Sequence, residues 1–405
     1  MTAGAVRARI AEIQAALREA GLDGWLFAVF RGSDPIASTV LQLPPGHESR
    51  RWFYYVPAEG RPRKLVHAIE AGRLDALPGD RTLYASWQAL HEGLGAVLAG
   101  ARRVAMQYSP MNAIPYVSRV DAGTVELVRA AGCEVVSSAD LVQRFEAVWT
   151  PEQAASHLRA AAALRAVIDA AFDEVRRAVR GGRRLDEYGL QQFILDEFGR
   201  RGLTTDHPPG VAVGANTADP HYGPGPDRSV EIREGDILQL DIWAREAASP
   251  DSIYADITWS AAVSRTVSAE HARTFELVRR ARDTGIRLVA ERVAQGRPVH
   301  GYEVDDAVRA VIREAGLADR FVHRTGHSIG RLVHGNGANV DNFETRDGRR
   351  LLPGTGFSIE PGVYFEGRFG VRSEVDVYIE PGDGTRGPRA IVTGEPIQTE
   401  VVALL

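Results

Sequence analysis

Asp241 and Asp256 stand inside two apolar segments, Ile237 to Trp243 and Ile253 to Trp259, that alternate with a period of two. In the first, Ile237, Gln239 and Asp241 share one face, while Leu238, Leu240 and Ile242 share the other. In the second, Tyr254, Asp256 and Thr258 line up together. If these segments are the arms of a hairpin, both carboxylates converge on one cation. A second pair of acids lies in Phe357 to Tyr364 and Gly370 to Asp376. There Glu360 ends a strand before a Pro-Gly turn, and Arg372, Glu374 and Asp376 share a face opposite Val371, Ser373 and Val375. Carboxylates inside apolar strands are costly unless a metal or basic groups neutralise them. The stretch from Val322 to Gly335 adds His323, His327 and His334, three of the 11 histidines. Its glycines at 326 and 330 argue for a loop-rich strand instead of a regular helix.

The elements that must carry these residues fall in the second part of the chain. Thr150, Pro151 and Gln153 read as a capping box with proline at the first helical position, which predicts a helix running to about Val179. Further helices are expected at Leu185 to Arg201, Ala269 to Ala294 and Gly301 to Ala315, covering a largely antiparallel sheet. Before this boundary, helical and strand patterns alternate as in an α/β layer. Strands are expected at Gly24 to Phe30, Trp52 to Val56, Leu65 to Ile69, Arg81 to Ala85, Arg103 to Gln107 and Cys133 to Val136. Helices are expected near the N-terminus, at Ser86 to Leu98 and at Asp140 to Val148. The glycine-rich Gly210 to Gly214 lacks the spacing of a phosphate-binding loop and reads as turns.

At 405 residues, with 44% hydrophobic and 25% charged residues, the chain exceeds one ordinary core, and two domains are expected. A net charge of -5 offers no basic face for nucleic acid. Cys133 is the only cysteine, which rules out an intrachain disulfide and a cysteine-based zinc site. No run approaches the ~18 apolar residues of a membrane span, and the first residues pattern as an amphipathic helix without a signal-peptide core. The expectation is a soluble, cytoplasmic protein that binds neither nucleic acid nor membrane.

Taken in order and in type, Asp241, Asp256, His327, Glu360 and Glu374 resemble the ligand set of the methionine aminopeptidase, aminopeptidase P and prolidase superfamily, peptidase family M24. The resemblance covers the whole chain. It implies a two-domain α/β protein: a creatinase/prolidase-like N-terminal domain over 1–148 and an α+β pita-bread catalytic domain over 149–405. It also implies two divalent metal ions, with Asp241 on one, Asp256 and Glu374 bridging both, and His327 with Glu360 on the second. Such an oxygen-rich donor set favours manganese, with cobalt or zinc as alternatives.

By the same resemblance, His334 and His221 would stabilise or protonate a tetrahedral intermediate. His323, Arg372 and Arg346 would contact the substrate. Structural readings stand beside these: a turn residue for His221, an ion pair for Arg372 and a solvated surface position for Arg346. The implied reaction is hydrolysis of Xaa-Pro bonds, by a prolidase acting on dipeptides or by an aminopeptidase P acting on longer peptides. A homodimer is implied as well. A metal-free creatinase-like hydrolase and a non-enzymatic binding module on the same fold are the remaining alternatives. One departure stands out: the stretch from Arg245 to Ser252, between the two aspartates, is longer than the family's tight hairpin.

Overall fold

Aromatic and β-branched runs in the N-terminal part pair into a mixed six-stranded sheet. The structure is a computed structural model that describes residues 3–44 and 46–405. It divides into two units, Met1–Glu146 and Ala147–Leu405. In the first unit the strands are β1 (Gly24–Val29), β2 (Trp52–Pro57), β3 (Arg63–His67), β4 (Asp80–Tyr84), β5 (Arg103–Met106) and β6 (Glu134–Ser137), in the order β4-β3-β2-β1-β5-β6. Helices α1 (Ala3–Glu19) and α2 (Pro35–Val40) cover one face through Ile10, Ile13, Leu17 and Ile36. Helices α3 (Trp87–Val97) and α4 (Ala122–Ala130) cover the other through Leu90, Leu94, Val125 and Val128, with Cys133 buried among them. Coverage on both faces explains why β1 and β2 read as continuous apolar runs. The regular helix expected over Asp140 to Val148 is instead a short α5 (Ala139–Val142) followed by a π-helical turn, Gln143–Ala147. The chain must become extended by Thr150, whose φ of -71° and ψ of 162° open the next helix.

In the second unit, α6 (Pro151–Arg180) begins with a complete capping box: Thr150 Oγ1 accepts the Gln153 amide at 3.2 Å and Gln153 Oε1 accepts the Thr150 amide at 2.9 Å. Its buried stripe, Ala160, Leu164, Val167, Ile168, Ala171 and Val175, repeats every three or four residues. With α7 (Glu187–Arg200), this stripe packs on a sheet built from β7 (Leu203–Thr204), β8 (Gly210–Val213), β9 (Ile237–Glu246), β10 (Ala255–Ala262) and the C-terminal β17 (Val402–Ala403). One edge of β9 pairs with β10, and the other is shared by β7 and β8.

Helices α8 (Ala269–Ala294) and α9 (Gly301–Glu314) cover a second sheet, ordered β11 (Ser328–Ile329), β12 (Gly356–Ile359), β15 (Val375–Glu380), β16 (Arg389–Val392). A hairpin of β13 (Gly362–Phe365) and β14 (Phe369–Arg372) lies between β12 and β15 in the chain. The two helix-covered halves meet where β10 touches the start of β15, through a single bridge between Thr258 and Glu374. Gly210 to Gly214 is thus not only turns, because 210–213 is a strand paired with β9. Glycine at its head eases a tight approach: a Cβ on Gly210 would lie 3.1 Å from the Asp241 Cβ. Among the described residues, no helix is long and apolar enough to cross a membrane.

The cap of α6 makes a direct stability test. We expect Thr150→Ala to cost about 1 kcal/mol and Thr150→Ser to cost little, since serine keeps the capping hydroxyl. Denaturant unfolding followed by tryptophan fluorescence measures both.

His271, in the first turn of α8, is buried with neither ring nitrogen hydrogen-bonded, and burial lowers its pKa to about 4. Folded, the ring stays neutral, whereas an unfolded chain takes up a proton below about pH 6.5. Proton uptake by the unfolded state therefore erodes stability as pH falls from about 6.5 towards 4, and the stability is fully present above that window. We expect the unfolding midpoint to drop between about pH 7 and 5, and His271→Phe to flatten part of that slope. Identical slopes for the two proteins would count against this account.

Candidate metal centre

The register of β9 and β10 sets Thr258 opposite Asp241 and Trp243 opposite Asp256. Both acids therefore project from one face of the hairpin, a diagonal step apart. His327 immediately precedes β11 and is locked to β12: its amide donates to Ser358 Oγ at 3.0 Å, and the Ser358 amide donates to its carbonyl at 2.9 Å. Glu360 follows β12, with its amide donating to the Thr325 carbonyl at 2.7 Å. Gly326 permits this approach, since a Cβ there would lie 1.9 Å from the Ser358 carbonyl oxygen. Glu374 sits between β14 and β15, at the bridge to Thr258.

These elements bring five acids and bases into one cluster. Asp256, His327 and Glu374, all buried, each offer one donor atom within 4.8 Å of the others. His327 Nε2 lies 3.7 Å from Asp256 Oδ2 and 3.5 Å from Glu360 Oε1. The Thr258 hydroxyl stands 2.8 Å from Asp241 Oδ1 and 2.7 Å from Glu374 Oε2, and it accepts from Arg372 Nε at 3.1 Å. Because it has one proton, it donates to one of the two carboxylates at a time. Arg372 also pairs through Nη2 with Asp241 Oδ2, donates through Nη1 to the Pro220 carbonyl at 3.2 Å, and lies 4.0 Å from Glu360 Oε2.

Burial first, and then the neighbouring carboxylates, push Asp256 and Glu374 well above the usual carboxylate range. Burial likewise raises Glu360 to about 7, against the pull of Arg372. Burial followed by His334 holds His327 well below its ordinary value, so its imidazole is neutral. Its Nδ1 lies 3.2 Å from the Ser328 carbonyl and donates to it, which leaves the Nε2 lone pair facing the carboxylates. Asp256 Oδ1 and Glu374 Oε1 are buried and have no hydrogen-bond partner. Such atoms call for a counter-charge. A divalent cation would supply it, and a donor set of carboxylate oxygens with one neutral imidazole suits such an ion.

The remaining expected site residues fall at different places. His334 stacks edge-on against His327, with ring centroids 4.4 Å apart. It is exposed at the solvent-facing side of the cluster, although the surrounding protein and then Arg324 lower its pKa to about 4. His221 is exposed in a turn, its amide donating to Asp219 Oδ1 at 3.0 Å, and its charge acts on both His323 and His334. His323 faces Tyr364 instead of the carboxylates: Nε2 is 2.8 Å from the phenolic oxygen and Nδ1 donates to the Arg324 carbonyl at 2.7 Å. Arg372 is central, whereas Arg346 is exposed and makes none of the contacts that tie Arg372 into the cluster.

Three residues of the cluster escape the sequence reading: Thr258 as a shared partner of two acids, Tyr364 between His323 and Arg372, and Arg324, whose charge acts on His327 and His334. Only Thr258 carried a signal, its period-two alignment with Asp256. The long connection between β9 and β10 folds onto the turn that precedes His334. There Asp251 pairs with Arg331 at 3.2 Å, and the Tyr254 amide donates to the Gly330 carbonyl at 2.9 Å.

Two helix-covered sheets that meet at a buried carboxylate and imidazole cluster define a metal-site protein of the pita-bread architecture. The sequence profile of metallopeptidase family M24 matches residues 156–381, more than half of the chain, and the chain belongs to that family. It is 40% identical over 174 residues to the probable dipeptidase PepE of Mycobacterium tuberculosis, covering 43% of this chain and 42% of the relative. It is 27% identical over 209 residues to a putative Xaa-Pro aminopeptidase of Mycoplasma pneumoniae, covering 51% and 54%. The matches thus span about half the length of these curated relatives or less. Among solved structures, dipeptidase PepE from Mycobacterium ulcerans superposes with a TM-score of 0.73 at 23% identity, covering 100% of this chain and 99% of that one. A prolidase from Thermococcus sibiricus gives 0.67 at 21% identity, with 98% of each chain covered. At these identities the structural likeness is one of fold.

Thr258 offers a test that leaves every candidate ligand in place. We expect Thr258→Val to weaken divalent-cation binding by about 10- to 100-fold, the usual effect of losing a partner that orients ligands. Calorimetric titration with Mn2+, alongside circular dichroism to confirm folding, measures this. Unchanged affinity would remove Thr258 from the site.

Proposed function

We propose that this chain is a metal-dependent peptidase that hydrolyses Xaa-Pro bonds, with dipeptides as its preferred substrates. The observation that carries this reading is the convergence of Asp256, His327 and Glu374, with Glu360 and Asp241 beside them, in a chain of family M24. Two divalent ions, manganese first and cobalt or zinc as alternatives, would be held by these five residues and would supply an activated water and a polarised carbonyl. The chain's own groups do the rest. Arg372 and Thr258 orient Asp241 and Glu374. His334 and His221, both reaching solvent beside the cluster, donate hydrogen bonds to the oxygen on which negative charge grows. His323 and Tyr364 form a polar wall next to Arg372.

The names of the relatives bear on substrate length. The relative at 40% identity is a probable dipeptidase, and a relative at 27% is a putative Xaa-Pro aminopeptidase. The second reading, an aminopeptidase P acting on longer peptides, rests on the latter. Comparing kcat/KM for an Xaa-Pro dipeptide and for the same peptide extended at its C-terminus separates them. We expect the Mn2+-loaded protein to prefer the dipeptide by at least about tenfold, and Asp256→Ala or His327→Ala to abolish cleavage. The reverse preference would assign the aminopeptidase reaction. A metal-loaded protein that cleaves neither, across a panel of residues before proline, would overturn the proposal.

A further inference from the structure

Glu187, at the first position of α7, is fully buried, and every hydrogen bond its carboxylate accepts comes from one segment, 213–230. Oε1 accepts the Val213 amide at 2.8 Å and Asn216 Nδ2 at 2.9 Å. Oε2 accepts the Tyr222 hydroxyl at 2.7 Å, the Val230 amide at 2.9 Å and Asn216 Nδ2 at 3.2 Å. The Glu187 amide in turn donates to the Val230 carbonyl at 3.0 Å. Both oxygens are saturated by neutral donors, so the carboxylate gathers the two ends and the middle of this segment onto one point.

That segment carries His221, next to Tyr222. Its opposite side is tied to the cluster: the Gly370 amide donates to Thr217 Oγ1 at 2.8 Å, and Arg372 donates to the Pro220 carbonyl at 3.2 Å. His221 itself is exposed and makes no side-chain hydrogen bond among those described, so its placement comes from its backbone neighbours. We propose that Glu187 is the positioning residue for His221, acting through Tyr222 and Asn216, and that it sets how His221 meets the substrate. This rests on the reading of His221 as a substrate-facing donor in Xaa-Pro hydrolysis. A glutamine would turn its amide donor towards this ring of donors and leave the Val230 amide or the Val213 amide unmet, depending on its orientation.

The test uses the Mn2+-loaded full chain and the variants Glu187→Gln, Tyr222→Phe and His221→Asn, alone and combined. Glu187→Gln and Tyr222→Phe are expected to lower kcat/KM on an Xaa-Pro dipeptide by about 5- to 50-fold, within the span of couplings in one hydrogen-bond network. Mn2+ affinity by calorimetry should not change. In the His221→Asn background the further loss should shrink below about twofold. A full-sized further loss there, or a parallel loss of Mn2+ affinity, overturns the inference in favour of general structural support. Should Glu187→Gln fail to fold, Tyr222→Phe, which removes one hydrogen bond, carries the same comparison. If the wild type cleaves no Xaa-Pro substrate, the functional reading falls separately. The positioning claim is then decided by the His221 imidazole 1H–13C resonance, which must shift or broaden in both variants and overturns the claim if it does not.

Discussion

Like charges buried side by side govern this structure. Asp256, Glu374 and Asp376 are nearly inaccessible to water, and burial is the first cause that holds each of them well above the carboxylate range, with repulsion from other acids following for Asp256 and Glu374. An ionised carboxylate in such surroundings costs several kcal/mol unless it is compensated. The cluster is compensated unevenly. On the Asp241 side, Arg372 pairs with the acid and shares Thr258 with it. Around Asp256 and Glu374, Arg372 is a weaker influence than the other acids, and one oxygen of each carboxylate lacks any partner. The arginine thus answers one half of the cluster and leaves the other half without a counter-charge from the chain.

The backbone is arranged to make this unfavourable gathering rigid. β10 and β15 touch through the bridge between Thr258 and Glu374 and then separate. Where they have parted, the side chain of Asp376 takes over from a strand partner, Oδ2 accepting the Asp256 amide at 2.8 Å. His157, from α6, closes the space behind: Nδ1 is 2.6 Å from the Tyr254 carbonyl and Nε2 is 3.0 Å from the Thr393 hydroxyl. Glycines allow neighbouring segments to come close to β14 and β12. A Cβ on Gly370 would meet the Thr217 carbonyl oxygen at 2.2 Å, and one on Gly356 would meet the Trp149 ring at 2.0 Å. The candidate ligands therefore sit on strands or at strand ends whose backbone has little room to move.

The same division between strand and loop explains what the sequence disclosed. Period-two alternation put Asp241, Asp256 and Thr258 on one face because register in a half-buried hairpin is strongly specified. The capping box marked the start of α6 because its two hydrogen bonds are local, spanning three residues. Gly210 misled, because a glycine that serves close strand approach looks the same in sequence as one that serves a turn. Strand alternation already set Arg372 on the face of Glu374 while giving Arg346 no such place, and tertiary packing then leaves Arg346 exposed and clamps Arg372 on Asp241. Glu187 was invisible for a related reason. An acid in the first turn of a helix is the ordinary complement of the helix dipole, and nothing local shows that its partners lie 26 to 43 residues away.

The residues proposed to act at the cluster come from two kinds of place in the second unit. His327 and the four acids belong to the paired strands and their ends, whereas His221 and His334 belong to connections whose placement depends on side chains. The connection between β9 and β10 meets the turn before His334 in two ways. In the Asp251–Arg331 pair the carboxylate is exposed, so the pair contributes little to stability. The Tyr254 amide bond to the Gly330 carbonyl, by contrast, joins the base of β10 directly to that turn. This connection thus bears on the turn before His334, whereas Asp241 and Asp256 are held by the β9 and β10 register. The connections, and not the strands that hold the buried carboxylates, are therefore where the surroundings of the cluster can vary with the register intact.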